Sequence, residues 1–180
     1  MLGVNIFNRR CEVKKVVCFI QVVFVLSLFL EVIAFDEPMY FRNFRFHSHV
    51  SKHRKNLELV EEHGKDKFYK KLREDLSIGG AKLEKIVYGF YEDYFYSVLI
   101  TSKGFSNGDA LLKAMVQKYG NPTRPNRYMK KYFWLGNDVN IIYEYHEILR
   151  TTEITYMYKP IMNRIARDDR RDAINAHNDF

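Results

Sequence analysis

Apolar and polar positions divide this chain into one long apolar run followed by many short ones. The long run extends from Val16 to Leu30 and is interrupted only by Gln21 and Ser27. Arg9, Arg10, Lys14 and Lys15 precede it, and Val32, Ile33 and Ala34 follow it. A cationic start, an apolar middle and a small residue at the end form the pattern of a secretory signal peptide, which predicts residues 1–34 as a leader cut after Ala34. The rival is an uncleaved membrane anchor. An anchor needs about 20 apolar residues, whereas Glu31 breaks this run well short of that. The leader has its usual form if translation begins at Val13, read as Met, directly before Lys14 and Lys15. Glu12 argues against a twin-arginine signal, and Cys18 lies at the wrong end of the run for lipid attachment.

The shorter runs have two periods. Met39 to Phe46 alternates, with Tyr40, Phe44 and Phe46 opposite Asn43 and Arg45, which predicts a half-buried strand. Residues 57–61 and 67–72 flank His63-Gly64-Lys65-Asp66 and predict a hairpin. Residues 85–90 and 95–102, rich in Val, Ile and aromatics around Glu92-Asp93, predict the strongest strand pair. Leu111, Leu112, Met115, Val116 and Tyr119 then recur at helical spacing. Ser106 or Asn107 would cap that helix, Gly120 would end it, and Pro122 follows. Strands are predicted again over 127–135, 139–145 and 154–158, with a turn at Gly136-Asn137-Asp138, and a last helix over about 161–178. Gly79-Gly80 predicts only a turn. Strands in runs, with helices between the runs, predict an α+β fold. Its parts are a meandering antiparallel sheet, one packed helix at about 106–119 and a charged C-terminal helix. No Pro/Gly-rich linker divides residues 35–180, which predicts a single domain.

Composition narrows the class. Nine glycines and four prolines in 180 residues exclude collagen-like and low-complexity chains. Both cysteines, Cys11 and Cys18, lie in the predicted leader, so the mature chain would form no disulfide. Twenty-nine basic residues against 22 acidic ones give a net charge of +7. A basic exported domain suits anionic lipid headgroups, cell-wall polymers or an acidic envelope protein. Nucleic acid fits poorly with export, although Arg124 to Trp134 interleaves basic and aromatic residues as single-strand binders do.

Four segments carry a resemblance: Val87-Tyr88-Gly89-Phe90-Tyr91, Phe95-Tyr96-Ser97-Val98, Lys118-Tyr119-Gly120-Asn121-Pro122 and Tyr132-Phe133-Trp134-Leu135-Gly136. They resemble segments of exported bacterial cell-envelope proteins of unknown function, over about residues 39–180. The resemblance implies a small periplasmic or secreted envelope domain. It also implies glycines beside the first strand, where this chain has Asn43 and His47 to His49.

Candidate chemistry is sparse. His47, His49 and His53 form an H-x-H-x3-H pattern that could ligate Zn²⁺ or Cu²⁺, with His47 and His49 on one side of a strand. A small secreted metal-dependent enzyme, or a metal-binding protein, would use these three. Glu92-Asp93 and Glu144/Glu147 are the carboxylate pairs available for acid–base work. No nucleophile elbow, zinc-protease, P-loop or dinucleotide motif is present, and no cofactor or catalytic residue is assigned. On the last helix Arg164, Arg167 and Arg171 fall near one face and would meet an anionic surface. The sequence therefore favours an exported, non-enzymatic binding or structural domain of a bacterial envelope over the metal-dependent alternative.

Overall fold

The structure, a computed structural model, describes residues 35–178; the leader or anchor read from residues 1–34, with both cysteines, lies outside the described residues. Within them the fold is α+β, a seven-stranded antiparallel sheet with two helices. No helix among the described residues is long and apolar enough to cross a membrane.

The sheet is built from hairpins. β3 (Leu57–His63) and β4 (Asp66–Lys71) turn at Gly64, whose φ of 58° lies in the left-handed region that glycine enters without strain. β7 (Lys85–Tyr91) and β8 (Tyr94–Lys103) turn through Glu92 and Asp93, both at positive φ, as a two-residue hairpin loop that follows strand twist requires. β9 (Lys131–Leu135), β10 (Val139–His146) and β11 (Thr151–Tyr158) form a meander. The spatial order is β3-β4-β7-β8-β11-β10-β9, so the last strand returns to pair with β8 at the centre.

Helix α1 (Phe105–Tyr119) makes the connection between the two halves and packs on one face. Leu111 (0% exposed), Met115 and Tyr119 point into a core with Tyr88, Ile100, Trp134, Ile141 and Ile154. Gly108 sits where a Cβ would come within 2.5 Å of Thr152 Oγ1, so glycine allows helix and sheet to approach this closely. Gly104, not Ser106 or Asn107, occupies the N-cap. Asn107 instead anchors the first turn, accepting the Lys82 N–H at 3.1 Å and donating to the Lys103 carbonyl at 2.8 Å. Leu112 and Val116 are only half-buried at the edge of the core.

The same face is completed by aromatic residues before β3. The alternation over 39–46 proves to be two short strands, β1 (Tyr40–Phe41) and β2 (Phe44–Arg45), joined by a turn with Arg42 at φ 53°. The turn reverses the chain within the alternating stretch, so Phe41, Phe44 and Phe46 are buried while Tyr40 is 52% exposed. Phe44 packs 4.4 Å from the Tyr88 ring, and Phe46 stacks 4.9 Å from Phe95. A second small pair, β5 (Ser77–Ile78) and β6 (Ala81–Lys82), encloses the Gly79-Gly80 turn.

Helix α2 (Lys159–Asn178) follows β11 directly. Ile161, with Met162 and Ile165 beside it, packs against Tyr91 and Tyr96 in a second, smaller core. Beyond Ile165 the helix is mostly polar, and most of its residues up to 175 are exposed.

Candidate functional site

The segment entering β1, the β2–β3 connection and the β9–β10 turn line a cavity of about 310 Å³. Its first wall is set by Glu37, whose carboxylate accepts the backbone N–H groups of Asn137 at 2.8 Å, Asp138 at 2.5 Å and Val139. Consecutive N–H groups converging in this way make an anion-binding nest, and Glu37 fills it. A Cβ at Gly136 would lie 2.5 Å from the Glu37 carboxyl carbon, so this clamp needs glycine there. Lys159 ties the start of α2 to the same turn, its backbone N–H donating to the Asp138 carbonyl at 2.7 Å.

The opposite wall has different chemistry. His47 leaves β2 with φ 65°, a conformation costly by about 1–3 kcal/mol for a residue with a side chain. Its N–H donates to the Phe95 carbonyl at 2.8 Å. Its ring lies 5.0 Å from Tyr94 and 6.0 Å from Tyr158, within 27° of parallel to both. Ser48 also lines the cavity, and its hydroxyl is buried and has no hydrogen-bond partner among the described residues. Arg45 and Lys52 complete the wall, and neither forms an ion pair among the described residues. Two cations without an ion-pair partner among the described residues, beside an imidazole, suit a ligand that carries negative charge.

The structure gives the three histidines different surroundings, although the His47 and His49 rings both lie against Tyr94. His47 lies in a left-handed turn after β2, so the strand argument that placed it beside His49 does not hold. His49 caps the following short 3-10 turn by accepting the Ser51 N–H, and its Nδ1 lies 2.9 Å from Ser51 Oγ. His53 packs 4.2 Å from the Phe44 ring. Burial first, then Lys52 and Lys71, lowers its pKa and favours the neutral ring. Among the described residues no cluster of three or more His, Cys, Asp or Glu is placed to hold a metal ion.

Two of the arginines read as an anionic-surface contact already have carboxylate partners. Arg164 pairs with Glu92, and Arg171 with Asp168 at 2.9 Å. Arg167 is exposed on the same helix. The candidate acid–base pairs are also engaged: Glu92 with Lys65 at 2.7 Å, Asp93 with Lys67 at 2.9 Å, Glu144 with Lys131 at 2.6 Å and Glu147 with Lys130 at 2.9 Å. In the basic–aromatic segment, Arg124 lies over Tyr132 and Arg127 over Tyr128, so these cations meet the segment's own rings.

Of the metal pattern only His47 lines the cavity; Arg45, Ser48 and Lys52 carried no sequence signal for it. Comparison with protein-family models, curated proteins and solved structures gives no match.

Proposed function

We propose that the chain is an exported, non-enzymatic binding domain of a bacterial cell envelope, and that its cavity holds an anionic saccharide unit of a cell-wall polymer. The observation that carries this reading is the wall of Arg45, His47 and Lys52, in which neither Arg45 nor Lys52 forms an ion pair among the described residues, although Arg45 lies over the Tyr40 ring. The leader pattern of residues 1–34 and the resemblance to exported envelope proteins supply the compartment. A saccharide suits the site better than a lipid headgroup because the cavity is concave and edged by the Tyr158 and His47 side chains. A lipid surface would call on the arginines of α2, and Arg164 and Arg171 are engaged internally.

The test is calorimetric titration of the full chain with glucuronate, a glucosyl phosphate and uncharged glucose. At least one anionic sugar should bind saturably and glucose should not, and which of the two binds distinguishes carboxylate from phosphate. The double change Arg45→Gln and Lys52→Gln should weaken binding by about tenfold or more, as loss of charge-assisted hydrogen bonds does. Equal binding of glucose, or full affinity in the double variant, overturns the assignment.

A further inference from the structure

At the other end of the sheet, where α1 begins, lies a second cavity of about 170 Å³. Its lining is mostly aromatic: Phe105 from the start of α1, Tyr132 from β9, and Tyr143 and Tyr145 from β10. Asp109, one turn into α1, supplies a carboxylate, which also pairs with Lys113 at 2.7 Å. The rings are held firmly. Tyr143 is 3% exposed and donates its hydroxyl to the Gly108 carbonyl at 2.9 Å. The Phe105 and Tyr145 ring centres are 6.1 Å apart and the rings stand at 84° to one another.

A cation already occupies the mouth. The Lys130 ammonium lies 5.4 Å from the centre of Phe105 and 5.2 Å from that of Tyr145, within cation–π reach of both. Its backbone carbonyl accepts the Tyr145 N–H at 2.9 Å, which fixes Lys130 beside the ring it covers. Glu147 meets the same ammonium from the solvent side at 2.9 Å. Two perpendicular rings around a cation, with further tyrosines beneath and a carboxylate at the side, form an aromatic cage. A quaternary or methylated ammonium group is what such cages recognise, because it presents diffuse charge on an apolar surface that a primary ammonium lacks.

We propose that this cavity is a binding site for organic ammonium groups and that Lys130 is its tethered competitor. A tethered group competes at high effective concentration, so the site in the resting protein is only fractionally open and its apparent affinity is reduced in proportion. A ligand with a methylated ammonium displaces Lys130 outward, where Glu147 can retain it. The site lies apart from the Arg45–Lys52 cavity, and either could fail without the other.

Choline and its uncharged tert-butyl isostere are the probes, titrated calorimetrically into the full chain at constant ionic strength. Choline should bind the Lys130→Ala variant about tenfold or more tighter than wild type, since the competitor is gone. Adding Phe105→Ala in that background should remove most of the binding; Phe105 is 60% exposed, and circular dichroism would verify that the fold survives. The isostere should bind at least about tenfold more weakly than choline. Absence of saturable choline binding to the Lys130→Ala variant, equal affinity with and without Lys130, indifference to Phe105→Ala, or equal binding of the isostere would each overturn the proposal.

Discussion

At the scale of single residues, the charges on this surface mainly hold elements together. Asp168 on α2 accepts the Tyr91 hydroxyl at 2.5 Å and the Lys65 ammonium at 3.0 Å, and it also pairs with Arg171. The Tyr91 and Lys65 hydrogen bonds, in that order, bring its carboxyl down to about 2 from 3.8. A carboxyl lowered in the folded state stabilises the fold fully above its unfolded pKa and loses that contribution as pH falls through the folded one. The stability difference between wild type and Asp168→Asn should therefore be constant above about pH 4 and shrink toward pH 2. Denaturant titrations followed by Trp134 fluorescence, the chain's one tryptophan and 2% exposed, measure it. A difference that does not change over that window would show that the Tyr91 and Lys65 contacts do not hold the Asp168 carboxylate. Little of this was legible beforehand: the charge run Arg167 to Asp172 suggests a solvated face, and nothing local reveals that Lys65, about a hundred residues earlier, lies against it. His47 was visible as a histidine but not as a strained one, because positive φ is advertised in sequence only by glycine or asparagine.

At the scale of elements, periodicity located most of the structure, and its errors have identifiable causes. The stretch 39–46 alternates as a strand does, yet it folds into a hairpin, because Arg42 enters a left-handed turn that no sequence signal marks. In α1 the period was right and the face slightly rotated. Leu111 stands at the centre of the stripe, and Leu112 sits at its margin. Leu111→Ala should accordingly cost about 2–5 kcal/mol, the range for a buried leucine that leaves a cavity. Leu112→Ala should cost clearly less. Chemical denaturation of both variants decides the point, and a larger loss at position 112 would show the helix turned the other way. Start signals misled for a different reason: Asn107 spends its amide on β6 and the Lys103 carbonyl, leaving the cap to Gly104.

At the scale of the whole molecule, the class of fold was readable from element order, whereas strand order was not. Nothing in the sequence places β11 between β8 and β10; that follows from α1 carrying the chain across one face, so that the final meander ends beside β8. Likewise the candidate cavity draws on Glu37, Arg45 and Asp138, brought together only because the Glu37 carboxylate meets the β9–β10 turn. Both proposed sites are built on strands and their connections. A finished cell-wall polymer lies outside the cytoplasm, so the proposed function requires export. The most direct measurement is the intact mass of the protein recovered from the envelope fraction of a bacterial host expressing the full chain. The expected product is a chain that begins at Phe35, cut after Ala34. Recovery from the cytoplasm, with a mass that retains residues 16–34, would contradict it.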